Sequence, residues 1–96
     1  MDRKESFLQY IQSEKRYSQH TVRSYRDDLE QYFLWLGSQD ISFNATEATS
    51  VEIRGWIVAL VEGGYSPVSV HRKASTLRAY YKYLLRQGVI RVSPIV

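Results

Sequence analysis

Wherever apolar residues recur in this chain, they recur at the three- and four-residue steps of a helix. Val22, Tyr25, Leu29, Phe33 and Leu36 mark one stripe of an amphipathic helix, with Ser18 placed to cap its start and Gly37 to stop it. Phe7, Leu8 and Ile11 mark an earlier helix that the sequence carries to Lys15-Arg16, cations suited to the negative end of a helix dipole. Thr49-x-x-Glu52 is a capping-box pattern before Ile53, Trp56, Ile57 and Leu60, and Gly63-Gly64 supplies a left-handed stop, so a third, short and buried helix is expected. Ser66-Pro67 then sets a cap residue before a proline at the first helical position. Val70, Ala74, Leu77, Tyr81 and Leu84 form the stripe of a fourth helix that ends near Gly88.

The stretch from Ser38 to Ala48 keeps no period and reads as a loop, with Ile41 and Phe43 folded back on the core. Val89-Ile90-Arg91-Val92-Ser93-Pro94 reads as extended chain. The expected architecture is all-α: a four-helix bundle of two helical hairpins.

Charge is distributed unevenly along this frame. Residues 1–62 hold seven basic and ten acidic side chains, net −3, whereas residues 63–96 hold six basic and none acidic, net +6. A one-sided positive field of this kind suits a polyanion. At about 100° per residue, the core residues of helix four lie within about 60° of Leu77, and His71, Arg72, Ser75, Arg78, Lys82 and Arg86 gather opposite them. Lys73, Ser69 and Thr76 fall on the flanks of the apolar stripe, from which the long stem of Lys73 could carry its charge outward. On helix two, His20, Arg23 and Ser24 lie opposite Leu29, Arg26 sits at the flank, and a second basic patch free of acids runs from Lys15 to Arg26.

Other chemistries find little support. There is no cysteine, and only His20 and His71 could serve zinc, so no metal site or other cofactor is expected. No apolar run approaches the roughly 20 residues of a membrane span, the first residues do not resemble a signal peptide, and the narrow apolar stripes are consumed by the core, so the expectation is a cytoplasmic protein that binds no membrane. Gly63-Gly64 lacks the preceding strand and following Gly-Lys-Ser/Thr of a phosphate loop.

Two motifs then carry a resemblance. Ser18-x-His20-Thr21-x-x-x-Tyr25-x-x-Asp28-Leu29-x-x-x-Phe33 resembles the second helix of the core-binding domain of tyrosine recombinases and phage integrases. Ser66-x-x-Ser69-Val70-x-Arg72-Lys73-x-Ser75-x-Leu77-Arg78-x-x-Tyr81-x-Tyr83-Leu84 is similar to the fourth helix of the same family, and the two motifs occur in the family's order. The resemblance implies a SAM-like bundle with crossed hairpins over residues 1–92 and the start of an interdomain linker at 93–96. It also implies a partner in double-stranded DNA, gripped by helices two and four. Carried over by position, His20, Thr21, Arg23, Ser24, Ser69, His71, Arg72, Lys73, Thr76 and Arg78 come to lie at or near DNA, and Lys82 continues the same basic face.

The family's nucleophilic tyrosine and its phosphate-stabilising cations belong to a C-terminal catalytic domain that would act in cis, so this segment is expected to bind DNA without cutting it. His20-Thr21-Val22-Arg23 mimics a catalytic H-x-x-R box but sits at a helix start without a second arginine box, and Tyr25, Tyr32, Tyr80, Tyr81 and Tyr83 have the spacing of packing residues. Self-association in a recombination synapse is a further implied contact, and a helical protein-interaction module is the competing reading.

Overall fold

The computed structural model describes residues 2–39 and 44–95. Among them are four α-helices, α1 (Arg3–Ser13), α2 (Gln19–Gln39), α3 (Ser50–Glu62) and α4 (Pro67–Arg86), a single 3-10 turn at Ala45–Glu47, and no strand. α1 packs on α2 and α3 on α4, and α2 touches both helices of the second hairpin, which is the expected all-α arrangement.

The helix starts follow their local signals. The Ser18 hydroxyl accepts from the Thr21 amide at 3.1 Å, and the Ser66 hydroxyl accepts from that of Ser69 at 3.2 Å ahead of Pro67. Thr49 and Glu52 form the complete capping box, with the Thr49 amide donating to the Glu52 carboxylate at 2.7 Å. Two ends share one closure. Gly64 at φ 90° lets the Tyr65 amide reach back to the Leu60 carbonyl at 3.1 Å, and Gly88 at φ 74° lets the Val89 amide reach that of Leu84 at 3.0 Å.

Other boundaries depart from expectation. α1 stops at Ser13, and the chain leaves it through Arg16 in a left-handed conformation, φ 57°, so Lys15 and Arg16 lie beyond the last turn rather than within it. α2 continues through Gly37 to Gln39, because an exposed glycine with nothing near its Cα weakens a helix without ending it. α3 is not buried all round: Ile53, Trp56 and Leu60 face the core, while Val51, Val58 and Val61 are exposed. Residues 89–95 are bent rather than extended, and Val89, Ile90 and Ile95 pack on the core. Ile41 and Phe43 lie outside the described residues.

The core is built around rings. Tyr32 packs its ring 5.0 Å from Trp56, and Phe7 meets Tyr80 edge-on at 5.4 Å. The hydroxyls of buried Tyr32 and Tyr81 are 2.8 Å apart, and that of Tyr81 is 2.7 Å from the Ala45 carbonyl. Since the carbonyl can only accept, Tyr81 donates to it and Tyr32 donates to Tyr81. This relay ties the 3-10 turn to both α2 and α4.

Candidate nucleic-acid interface

α4 presents His71, Arg72, Ser75, Arg78, Lys82 and Arg86 to solvent, and its sequence contains no acid. Proline, the Ser66 cap and an uninterrupted helical stripe position this row: the apolar side of the helix is anchored by Leu77, Tyr81 and Leu84, so the opposite side must face outward. On α2, His20 and Arg23 are exposed near the helix start. Thr21 and Ser24 are half-buried and locally engaged: Thr21 Oγ1 accepts from the Ser18 hydroxyl at 3.0 Å, and the Ser24 hydroxyl donates to the His20 carbonyl at 3.2 Å. Ser69 is likewise half-buried, its hydroxyl accepting from that of Ser66 at 3.1 Å.

Lys73 and Thr76 are turned inward. Lys73 does not carry its charge outward along a flexible stem, because a buried acid on the facing helix captures it. Its Nζ lies 2.9 Å from Asp28 Oδ1 and 2.7 Å from Gln31 Oε1, and stands 5.2 Å from the centre of the Tyr65 ring. Thr76, fully enclosed, donates to Asp28 Oδ2 at 2.9 Å. Arg72 Nη2 also donates to Asp28 Oδ1, at 2.9 Å, but its side chain stays 53% exposed, whereas that of Asp28 is 1% exposed. One buried carboxylate on α2 thus accepts from three neighbouring residues of α4. Two cations on one anion leave a surplus positive charge, and it is Arg72 that holds this charge at the surface.

The two basic patches meet at one place. Lys15 and Tyr17, from the turn between α1 and α2, line a cavity of about 150 Å³ together with Lys82, Tyr83 and Arg86 of α4. At its other end the patch from Lys15 to Arg26 is shorter than its sequence suggests. Arg26 pairs with Glu5 of α1, and the guanidinium holds that carboxyl below the usual carboxylate range. Lys4 pairs with Glu30 at 2.9 Å.

Chemically, this surface offers cations, imidazoles and hydroxyls, which are groups that hold phosphate oxygens or reach base edges. It does not offer an activated nucleophile among the buried tyrosines. Burial pushes Tyr32 and Tyr80 up to about 12 and raises Tyr81 further, the opposite of what a phenolate nucleophile needs. Among the described residues no three His, Cys, Asp or Glu side chains converge as a metal site, and no helix is long and apolar enough to cross a membrane.

Sequence reasoning missed the role of Asp28. The signal was present: an acid between Tyr25 and Leu29 on the apolar side of α2, opposite a lysine and a threonine on the flank of α4. Buried charges come paired, and these are complementary.

The curated relatives agree with one another. The chain is 39% identical over 92 residues to tyrosine recombinase XerC of Oceanobacillus iheyensis, which covers 96% of this chain and 30% of that protein. It is 36% identical over 88 residues to XerC of Listeria innocua, covering 92% of this chain and 29% of the relative. It is 38% identical over 92 residues to XerC of Thermodesulfovibrio yellowstonii, covering 93% and 28%. The chain therefore spans less than a third of the length of the relatives it matches. No solved structure matches it significantly. The family model described as phage integrase, N-terminal SAM-like domain, matches residues 5–88, and with it the chain belongs to that family of tyrosine-recombinase domains.

Proposed function

We propose that this chain is a duplex-DNA-binding, core-binding domain of a site-specific tyrosine recombinase, gripping DNA with the face shared by α2 and α4. The observation that carries the reading is the row of exposed cations on α4 with no acid among them, while the nearby acid Asp28 is buried and already paired. His20 and Arg23 on α2, and His71, Arg72, Arg78 and Lys82 on α4, form the contact set, with Thr21, Ser24 and Ser69 at its edge. Lys73 and Thr76 support this surface from beneath. Strand cleavage and rejoining belong to a catalytic domain outside this segment, and assembly on DNA brings further copies together.

Anisotropy of a labelled duplex, titrated across a salt series, tests the reading. The domain should bind with a log K against log salt slope of several units, and Arg23→Glu/Lys82→Glu should weaken binding at least about tenfold at low salt. Equal affinity of the variant and the parent, or no binding at about 50 mM salt, would sink it.

A second reading, a helical protein-interaction module, draws on one observation. The exposed Val51 and Val58 of α3 border a shallow groove that Trp35 also lines. Val51→Ser/Val58→Ser should leave DNA binding unchanged on the first reading, and would remove partner binding on the second.

A further inference from the structure

We propose that Asp28 is a positioning residue for DNA recognition: it holds the Arg72 guanidinium as a fixed donor fork aimed at a pair of acceptors on DNA. The inference rests on the DNA-binding reading above and goes beyond it, because it makes one buried acid responsible for how one surface cation performs.

Asp28 is itself immobile. Its Oδ2 accepts from the enclosed Thr76 hydroxyl and its Oδ1 from buried Lys73, each at 2.9 Å, and the Lys73 ammonium is further held by Gln31 at 2.7 Å. Gln31 in turn donates to the Tyr65 hydroxyl at 2.8 Å. Arg72 is attached to this fixed group through Nη2 alone, at 2.9 Å, with its side chain 53% exposed. A guanidinium has five N–H donors, so four remain to face outward. Holding one edge by a carboxylate removes rotamer freedom during folding that an untethered arginine would lose only on binding. What remains is a planar fork suited to two acceptors at fixed spacing, either two phosphate oxygens or O6 and N7 of a guanine.

The arrangement also settles a question of sign. An acid beneath a basic face should weaken DNA binding if only the field mattered. Lys73 cancels that charge locally, so the site keeps the tether without a net negative charge beneath the face.

The test separates tether from charge. Asp28→Leu/Lys73→Met removes one acid and one base, leaves net charge unchanged, keeps Arg72, and replaces a buried pair by apolar groups of similar size, an exchange that folds tolerate. Thr76 can then donate to the Arg72 carbonyl, already 3.3 Å away. Affinity for a duplex carrying a recombination site, chosen by selection from a random library on the parent domain, should fall about tenfold in this variant. It should fall similarly in Arg72→Ala, and combining the changes should add little, because both remove the same interaction. A salt slope smaller by about one would identify a phosphate as the target, and relaxed discrimination at one base pair would identify a guanine.

Circular dichroism and urea denaturation establish that each variant is folded. Should the pair replacement not fold, Arg72→Lys keeps the charge without the fork and should show the same loss. A folded pair variant that binds like the parent, or losses that simply add, would overturn this proposal while leaving DNA binding intact. Absence of binding by the parent itself would overturn the DNA-binding reading and the proposal with it.

Discussion

Lys73 Nζ lies 2.9 Å from Asp28 Oδ1, a carboxylate oxygen it shares with Arg72, and burial sets Lys73 apart from the other cations of α4. Helical position put Lys73 on a flank, where either fate was open. The buried carboxylate decided between them, because an unpaired charge in that position would be costly.

Two lysines of one helix should therefore behave differently. Lys73→Met leaves Asp28 buried with one cation fewer and should cost about 3 kcal/mol. Lys82→Met, at an exposed position, should change stability by less than about 0.5 kcal/mol. Urea denaturation of both variants makes the comparison, and equal costs would mean that Lys73 is not paired as described.

The Tyr32 to Tyr81 to Ala45 relay predicts an asymmetry between two tyrosines. Tyr81→Phe strands both the Tyr32 hydroxyl and the Ala45 carbonyl and should cost about 2–3 kcal/mol. Tyr32→Phe removes only the first donor and leaves Tyr81 bonded to Ala45, for about 1 kcal/mol. Thermal or urea unfolding of the pair checks this, and a larger cost at Tyr32 would mean that Tyr81 does not donate to the Ala45 carbonyl as described.

Stability should fall at alkaline pH for the same reason. Burial raises Tyr32 and Tyr80 from an ordinary value of 10.0 to about 12, so the folded state holds protons that the unfolded chain releases sooner. The contribution is complete below pH 10 and is lost as pH rises toward 12. Absorbance of tyrosinate should show Tyr32 and Tyr80 ionising only as the fold is lost.

Two glycines should respond to alanine with opposite signs. Gly37 is helical and exposed with open space around it, so Gly37→Ala should stabilise by about 0.5–1 kcal/mol. Gly88 also has open space but stands at φ 74°, so Gly88→Ala should destabilise by about 1 kcal/mol through backbone strain alone. Chemical denaturation resolves both.

Much of the fold was legible because its signals are local. The Thr49/Glu52 box, Ser66-Pro67 and the left-handed glycines act within a few residues of themselves, and each does what its chemistry dictates. Gly37 misled because a glycine lowers helix stability without forbidding a helix. The outward face of α4 was legible from periodicity, since a core stripe fixes what lies opposite. Asp28 and Arg26 were not, because their partners, Lys73 and Glu5, lie 45 and 21 residues away and meet them only when the hairpins close. Pairing across helices decides which cations remain for a ligand, and no single helical wheel contains it.

The proposed contact of α2 and α4 with DNA is tested most directly by amide chemical-shift mapping of the labelled domain during titration with a short duplex. Shifts should concentrate at His20 to Ser24 and from His71 to Arg86, with Val51, Val58 and Val61 unmoved. Shifts centred on α3, or none at low salt, would contradict the assignment of DNA to this face.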